Sequence, residues 1–152
     1  MPAYSFAKTA THEVFNQVPM LADHNAFDAD EVLGQAVARE GADWAKAELC
    51  DFGETVGSKE VQLWAHEANT NLPVLRTHDR WGNRVDQVEF HPSYHQLMKI
   101  AFAAGVHSFA WNNARPGAHV ARAALSYLWS QAENGTGCPT GMAYSAIPVL
   151  SK

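Results

Sequence analysis

The eight histidines of this sequence are its first candidates for metal or acid–base chemistry. His91 and His95 are four residues apart, which on a helix would place both imidazoles on one face, as in zinc sites of the H-E-x-x-H type. The residues between them supply no glutamate, and His91 lies where a helix is expected to begin. A third ligand would have to come from Glu89, His78 or His119. We therefore interpret these histidines as structural and predict no metal site, with a zinc site as the alternative.

Two aspartates and two possible nucleophiles complete the candidates for catalysis. Asp79 and Asp86 could act as paired carboxylates, but arginines flank both, which favours salt bridges within a turn and a strand. Ser145 lacks the G-x-S-x-G setting of a hydrolase nucleophile, and Cys138 precedes a proline without an identifiable base. No glycine-rich loop follows a predicted strand, so neither a P-loop nor a dinucleotide-binding fingerprint is present. We predict that this chain contains no catalytic residue.

The elements that would position these residues are clearest in the stretch 77–124. Gly82 and Asn83 tolerate the positive φ of a tight reversal, and alternating side chains over 85–90 predict a short, half-buried strand after it. Pro92 suits the first turn of a helix. That helix would bury a stripe formed by Tyr94, Leu97, Met98, Ala101 and Phe102. A similar stripe over 120–129 predicts a further helix after a break at 115–117.

The residues before this stretch predict an arm followed by two helices. Residues 1–27 have no sustained period, and we expect an extended arm. Its large apolar side chains would lie across another surface or pack on their own domain; they are Phe15, Met20, Leu21 and Phe27. Asp28 with Glu31 resembles a capping box that would start the first helix. Internal glycines predict a kink or a close helix crossing near Gly41, and Ser58 is expected to cap the second helix, which ends before residue 71.

The C-terminal residues predict one more helix. A break over 135–139 is followed by an apolar segment that should be helical from about Thr140. Pro148 should kink or end this helix, because it removes a hydrogen bond and clashes with the preceding turn. The chain as a whole is therefore predicted to be all-α, a helical bundle with a small β-hairpin insertion, with the domain spanning 28–152 after the arm.

Length, composition and charge narrow the class of protein. A chain of 152 residues has the length of one domain, and its 47% apolar and 18% charged residues are typical of a globular protein. The net charge of −5 and the lack of a polybasic run exclude a self-sufficient DNA-binding surface. No apolar run reaches the roughly 20 residues of a membrane span, and the first residues do not form a signal peptide. We expect a cytoplasmic protein.

The two cysteines bear on the redox environment. Cys50 and Cys138 lack the C-x-x-C spacing of metal or redox motifs. We expect two buried free thiols in a reducing compartment, with a disulfide between them as the alternative.

A longer motif carries a family resemblance. Residues 73–98 read P-x-L-R-x-x-D-x-x-G-x-R-x-D-x-V-x-F-H-P-x-Y-H-x-L-M, and further pieces follow in order at 11–17, 36–44, 117–124 and 138–142. The pattern resembles the N-terminal region of the AidB-like adaptive-response proteins, a branch of the acyl-CoA dehydrogenase flavoproteins. The resemblance covers nearly the whole chain from Thr11 onward.

The resemblance implies a place for this chain within a larger protein. Members of the family combine an N-terminal helical domain, a middle β-barrel and a C-terminal helical bundle, and they assemble into oligomers, here expected to be homotetramers. It implies FAD as the cofactor, bound mainly by segments beyond Lys152, where the catalytic carboxylate also belongs. We therefore expect an N-terminal segment whose partners are the remaining flavoprotein domains or a separate chain that carries them.

Two functions follow from the resemblance. The first is dehydrogenation of a short or branched acyl-CoA, with FAD accepting the hydride. The alternative is a flavin-containing protein that binds double-stranded DNA through a C-terminal region and protects it from alkylation, with vestigial dehydrogenase activity. A complete subunit of a split, hetero-oligomeric dehydrogenase is a third interpretation.

One segment of this chain could touch the substrate. In the family, the last helix before the β-barrel lines the acyl pocket, and here that helix is 140–147. The resemblance thus implies Met142, Tyr144 and Ser145 as pocket-wall residues, with packing of the bundle as the alternative role.

Overall fold

The computed structural model describes residues 11–151 and is mostly helical, with one two-stranded antiparallel hairpin. This confirms the predicted fold class. A short 3₁₀ turn, Asp43–Ala45, separates the first two helices. The elements in chain order are α1 (Glu31–Arg39), α2 (Lys46–Gly57), α3 (Lys59–Thr70), β1 (Val74–His78), β2 (Arg84–Glu89), α4 (Pro92–Ala103), α5 (Phe109–Asn112), α6 (Ala118–Ala132) and α7 (Gly137–Leu150).

The core lies where α2 and α6 pack together, flanked by α3, α4 and α1. Trp129 on α6 is the largest fully buried side chain, and its ring stacks on Phe52 of α2 with centroids 5.9 Å apart. Its indole N–H donates a 2.7 Å hydrogen bond to the buried hydroxyl of Thr136, so the polar edge of the ring is satisfied as well. This bond ties the start of α7 to the centre of the bundle.

The helix starts follow local rules in three cases. Ser58 caps α3 by accepting a hydrogen bond from the Val61 amide, as predicted. Pro92 occupies the first position of α4, also as predicted, and His91 is its N-cap. The first helix differs from the prediction: Asp30, not Asp28, is the N-cap, and its carboxylate accepts from the Leu33 amide at 2.8 Å. Asp28 instead lies beside the Cys50 thiol.

Where the sequence predicted one helix with a kink or close crossing near Gly41, the structure has two helices, α1 and α2, and the chain reverses between them. Gly41 has φ +78°, and the chain reverses there between α1 and the 3₁₀ turn. Gly117, at the start of α6, also has a positive φ of +79°, and a Cβ at this position would collide with the Gly41 carbonyl. The two glycines therefore let α1 and α6 approach at their ends.

The hairpin is longer than the predicted strand and more exposed. Val74 pairs with Glu89 and Leu75 with Val88, and an irregularity falls between Arg76 and His78. The prediction of a half-buried strand is wrong, because every residue of β1 and β2 is exposed within the described chain. The alternation arises from two faces of a ribbon that extends away from the bundle.

The last helix starts earlier and ends later than predicted. α7 begins at Gly137, because Pro139 lies in its first turn, where an amide is not required. Pro148 neither ends nor interrupts the assigned helix, which continues to Leu150. Its missing amide affects only the last turn, so the loss is confined to one hydrogen bond.

Residues 11–21 form neither helix nor strand and are exposed, including Phe15, Met20 and Leu21. Phe27 behaves differently: it is buried in the core, where the adjacent Ala26 amide bonds the Gly53 carbonyl at 3.0 Å. Residues 1–10, the start of the predicted arm, lie outside the described residues. Among residues 11–151, no helix has the length and apolarity to cross a membrane.

Candidate functional site

Helix α7 carries the three residues implied as pocket wall and directs them to two different sides. Met142 and Ser145 are three residues apart and are exposed, with Val149 one turn further along the same face. Tyr144 is half-buried on the inward side, which it shares with the buried Thr140. The structure therefore brings Met142 and Ser145 together and separates Tyr144 from them.

Tyr144 belongs to a group of four side chains drawn from α5, α6 and α7, which we name the Tyr144 cluster: Trp111, His119, Arg122 and Tyr144. The phenol oxygen of Tyr144 lies 2.6 Å from Nδ1 of His119. The Trp111 ring packs against both, with centroid distances of 5.5 Å to Tyr144 and 4.9 Å to His119. Tyr144 thus holds α7 against the rest of the bundle.

Arg122 completes the cluster and links it to the loop after α4. Its guanidinium carbon lies 3.9 Å from the centre of the Tyr144 ring, a cation–π arrangement. Its Nε donates a 2.8 Å hydrogen bond to the Val106 carbonyl. Partial burial lowers the pKa of Arg122 from its ordinary value, and interaction with Tyr144 opposes that shift. The side chain is half-buried and remains a cation at neutral pH.

Ser145 and Met142 show no sign of nucleophilic chemistry. The Ser145 hydroxyl donates to the Gly141 carbonyl one turn earlier at 3.1 Å, a common arrangement for a helical serine. Met142 contacts the thiol of Cys138 at 3.7 Å between sulfur atoms. Both residues form part of an exposed, mainly apolar surface.

The histidines singled out for a metal are not brought together. Nδ1 of His91 accepts from the Ser93 amide at 3.3 Å as part of the α4 cap, whereas the His95 ring is edge-on to Tyr94. Glu89 is paired with Arg76 across the hairpin at 2.9 Å. Within residues 11–151, no three His, Cys, Asp or Glu side chains are grouped as metal ligands.

The two hairpin aspartates have structural partners. Asp79 bonds the Asn83 side chain at 2.8 Å and the amides of Trp81 and Asn83, and these bonds, that to the Asn83 side chain foremost, lower its pKa. Asp86 forms a 2.6 Å ion pair with Arg84. The interpretation as a salt bridge agrees with Asp86, whereas Asp79 has no arginine partner among the described residues and is bonded to Asn83 and to turn amides instead.

The cysteines are both free thiols in the structure. Cys50 is half-buried beside the Asp28 carboxylate, and burial followed by that carboxylate raises its thiol pKa. Cys138 is exposed, so the prediction of two buried thiols is wrong for this residue. The reason is that α7 presents it on the same outward face as Met142.

Sequence reasoning did not find the Tyr144 cluster, although it named Tyr144. Trp111 lies on α5, which has only four residues and therefore no apolar periodicity to detect. His119 and Arg122 are three residues apart on α6, which was the one available signal that they share a face.

The described residues thus form a helical domain with a projecting hairpin, in which the candidate catalytic groups have structural partners. Its fold is the one found in part of an acyl-CoA dehydrogenase of known structure. Within this class, the sequence profile described as "Adaptive response protein AidB N-terminal domain" matches residues 16–152. The chain belongs to the family of AidB N-terminal domains.

Two curated proteins are similar in sequence. The chain is 43% identical over 141 residues to "Putative acyl-CoA dehydrogenase AidB" of Escherichia coli (strain K12), covering 92% of this chain and 26% of that protein. It is 28% identical over 155 residues to "Acyl-CoA dehydrogenase family member 11" of Caenorhabditis elegans, covering 97% of this chain and 24% of that protein. The chain therefore spans about a quarter of the length of these relatives.

Two solved structures are similar in fold. The crystal structure of Caenorhabditis elegans ACDH-11 in complex with C11-CoA superposes with a TM-score of 0.77 at 24% identity, covering 95% of this chain and 26% of that one. The structure titled "Bd2924 apo-form" superposes with a TM-score of 0.66 at 30% identity, covering 78% and 24% respectively. The first of these establishes the fold alone.

Proposed function

We propose that this chain is the N-terminal segment of an FAD-dependent acyl-CoA dehydrogenase-type flavoprotein, with no active site of its own. Its roles are to supply one wall of the acyl pocket and part of an oligomer interface. The observation that carries the proposal is the pairing of family membership with an exposed apolar face on α7. In the described residues that face includes Met142, 68% exposed, and Val149, 70% exposed. Such a face is typical of a surface that another domain covers.

The side chains on this face suit an acyl pocket wall. An acyl chain requires mainly apolar contacts with few polar groups, and Met142 adapts its shape to such a chain. Ser145 is the one polar side chain between Met142 and Val149 on this face. Tyr144 acts indirectly, because its contacts with His119 and Arg122 fix the orientation of α7. We assign Met142 and Ser145 to the wall and Tyr144 to its positioning.

The first test asks whether the intact protein is yellow and whether an acyl-CoA bleaches its flavin absorbance. Anaerobic titration with acyl-CoAs of increasing chain length would give the substrate class. Replacing Met142 with Trp should shift the preference toward shorter chains, because the larger ring shortens the pocket. Val32→Trp, an exposed position on α1, serves as the matched control. A flavin-free intact protein would contradict the proposal.

A second candidate function is DNA protection by a flavoprotein of this branch. It is favoured by the match of residues 16–152 to the sequence profile described as "Adaptive response protein AidB N-terminal domain". Because the net charge of this chain is −5, the residues that bind DNA would lie outside it. Binding of the intact protein to duplex DNA should then weaken steeply with added salt, whereas residues 1–152 alone should not bind. Gel-shift titrations at two salt concentrations test this.

The same proposal includes the cellular setting and the assembly. We expect a cytoplasmic homotetramer in which further domains of the protein, or a separate chain carrying them, complete the flavin site. Light scattering on the intact protein gives the number of subunits, and mass spectrometry of the purified complex shows whether a second polypeptide is present. A stable flavin-bound monomer would exclude the oligomer.

A further inference from the structure

The Tyr144 cluster contains more hydrogen-bond donors than acceptors. Arg122 uses its Nε on the Val106 carbonyl, while its two terminal amino groups have no acceptor within residues 11–151. The indole N–H of Trp111 is buried and also lacks an acceptor there. The side-chain acceptors of the cluster, the Tyr144 oxygen and His119 Nδ1, bond each other. The group that would complete this cluster is therefore an acceptor.

The charge of Arg122 is likewise unbalanced. The ion pairs of the described chain involve Arg39, Arg76 and Arg84, all of them exposed, and no carboxylate of that part pairs with Arg122. Arginine is seldom withdrawn from water without a charged partner. Its terminal amino groups form a planar fork that matches the two oxygens of a carboxylate or a phosphate.

Comparison with another stacked arginine singles out Arg122. Arg115 lies 3.5 Å from the centre of the Trp44 ring, but it is exposed, so water can satisfy its amino groups. Arg122 is half-buried, its Nε is fixed by the Val106 carbonyl, and one side of its guanidinium packs on the Tyr144 ring. A stacked cation in that setting favours an anionic ligand over water.

We propose that the Tyr144 cluster is a binding site for an oxyanion, either a carboxylate or a phosphate, held by the terminal amino groups of Arg122. The anion contacts the terminal amino groups of Arg122 on the side of the guanidinium that faces away from the Tyr144 ring. Binding orders α7 against α6, because Tyr144 lies under the same guanidinium. The site is independent of flavin and of turnover, so its test is independent of the proposed function.

The test is ¹⁹F NMR of the intact protein containing 5-fluorotryptophan, with the Trp111 signal assigned from a Trp111→Phe variant. Inorganic phosphate and acetate are added in separate titrations, each against sodium chloride at matched ionic strength. A saturable shift of the Trp111 signal is expected with at least one of the two anions. The anion that binds more tightly identifies the chemistry of the ligand.

Two variants and one control make the result specific. Arg122→Gln should weaken binding about tenfold or more, because it removes the charge and the fork. Arg122→Lys keeps the charge but not the fork and should bind several-fold more weakly than the unsubstituted protein. Arg115→Gln should bind normally, and an unchanged Trp129 signal verifies the fold of each variant. No saturable shift, or equal losses in Arg115→Gln and Arg122→Gln, would overturn the proposal.

Discussion

The environment of His107 is one that should make stability depend on pH near neutrality. Its ring is half-buried edge-on to Phe102, Nδ1 has no protein partner within the described chain, and burial lowers its pKa. The folded state therefore binds this proton less readily than the unfolded state does. The contribution of His107 to the free energy of unfolding is therefore fully present above the unfolded-state pKa of about 6.5. It is lost as the pH falls toward the lower pKa of the folded state.

We predict that His107→Gln reduces the loss of stability between about pH 7.5 and about pH 5.5, because glutamine does not titrate. Urea unfolding at both pH values, followed by circular dichroism, measures the difference. His66→Gln, at an exposed position on α3, is the matched control for replacing a histidine with glutamine. Identical pH dependence in the His107 variant and the unsubstituted chain would show that this residue is not responsible.

The two thiols should react at different rates. Cys50 accepts a hydrogen bond from the Asn25 amide and lies beside Asp28, and its raised pKa leaves little of the reactive thiolate. Cys138 is exposed. In residues 1–152 alone, iodoacetamide at about pH 8 should modify Cys138 first, as peptide mass spectrometry would show. Asp28→Asn should accelerate modification of Cys50, and an unchanged rate would contradict the role of that carboxylate.

At the scale of elements, the approach of α1 and α6 depends on a glycine pair. An alanine at Gly117 would combine a strained positive φ with a collision against the Gly41 carbonyl, which is backbone and cannot move aside alone. We predict that Gly117→Ala costs about 2 kcal/mol or more of the free energy of unfolding. The measurement is urea unfolding of residues 1–152.

Gly34 supplies the matched comparison for this prediction. It lies inside α1 with nothing near the position of a Cβ, and it has no positive φ. Gly34→Ala should therefore raise the free energy of unfolding by about 0.5–1 kcal/mol, the usual gain for a helical position. A Gly117→Ala variant as stable as Gly34→Ala would show that the helix ends do not require this contact.

The elements that sequence predicted well are those governed by neighbours along the chain. Ser58 and Pro92 start their helices as expected, because capping and proline placement act within one turn. The hairpin was also found, but its exposure was not. Alternation indicates two faces and does not tell what lies against either of them.

The Tyr144 cluster shows the opposite limit. It joins Trp111, His119 and Tyr144 from three elements, and His119 and Tyr144 are 25 positions apart in the chain. Their meeting depends on how α7 packs across α5 and α6, which no local pattern specifies. The separation of Tyr144 from Met142 has a local cause: the resemblance assigned both to one wall, but residues two positions apart on a helix face different sides.

At the scale of the whole molecule, the exposed apolar side chains of the hairpin and of α7 are ones that we expect other protein to bury. A two-stranded hairpin is marginally stable by itself in water, yet Leu75 is 59% exposed and Val88 49% exposed. Val149 and Leu150 at the end of α7 are 70% and 82% exposed. Relatives in which this domain accounts for about a quarter of the length offer further protein to cover such surfaces.

The last prediction tests that covering on α7. In the intact protein, Val149→Asp should impair assembly, because it places a charge where we propose an apolar contact, and burying an unpaired charge is costly. The expected results are a lower thermal midpoint and less bound flavin per chain, measured by differential scanning calorimetry and absorbance.

In residues 1–152 alone the same substitution should change the stability by less than about 0.5 kcal/mol, since the side chain is exposed there. Val32→Asp on α1, 77% exposed, is the matched control for a charge on a helix surface. Equal effects of the two substitutions in the intact protein would show that α7 has no special role in assembly.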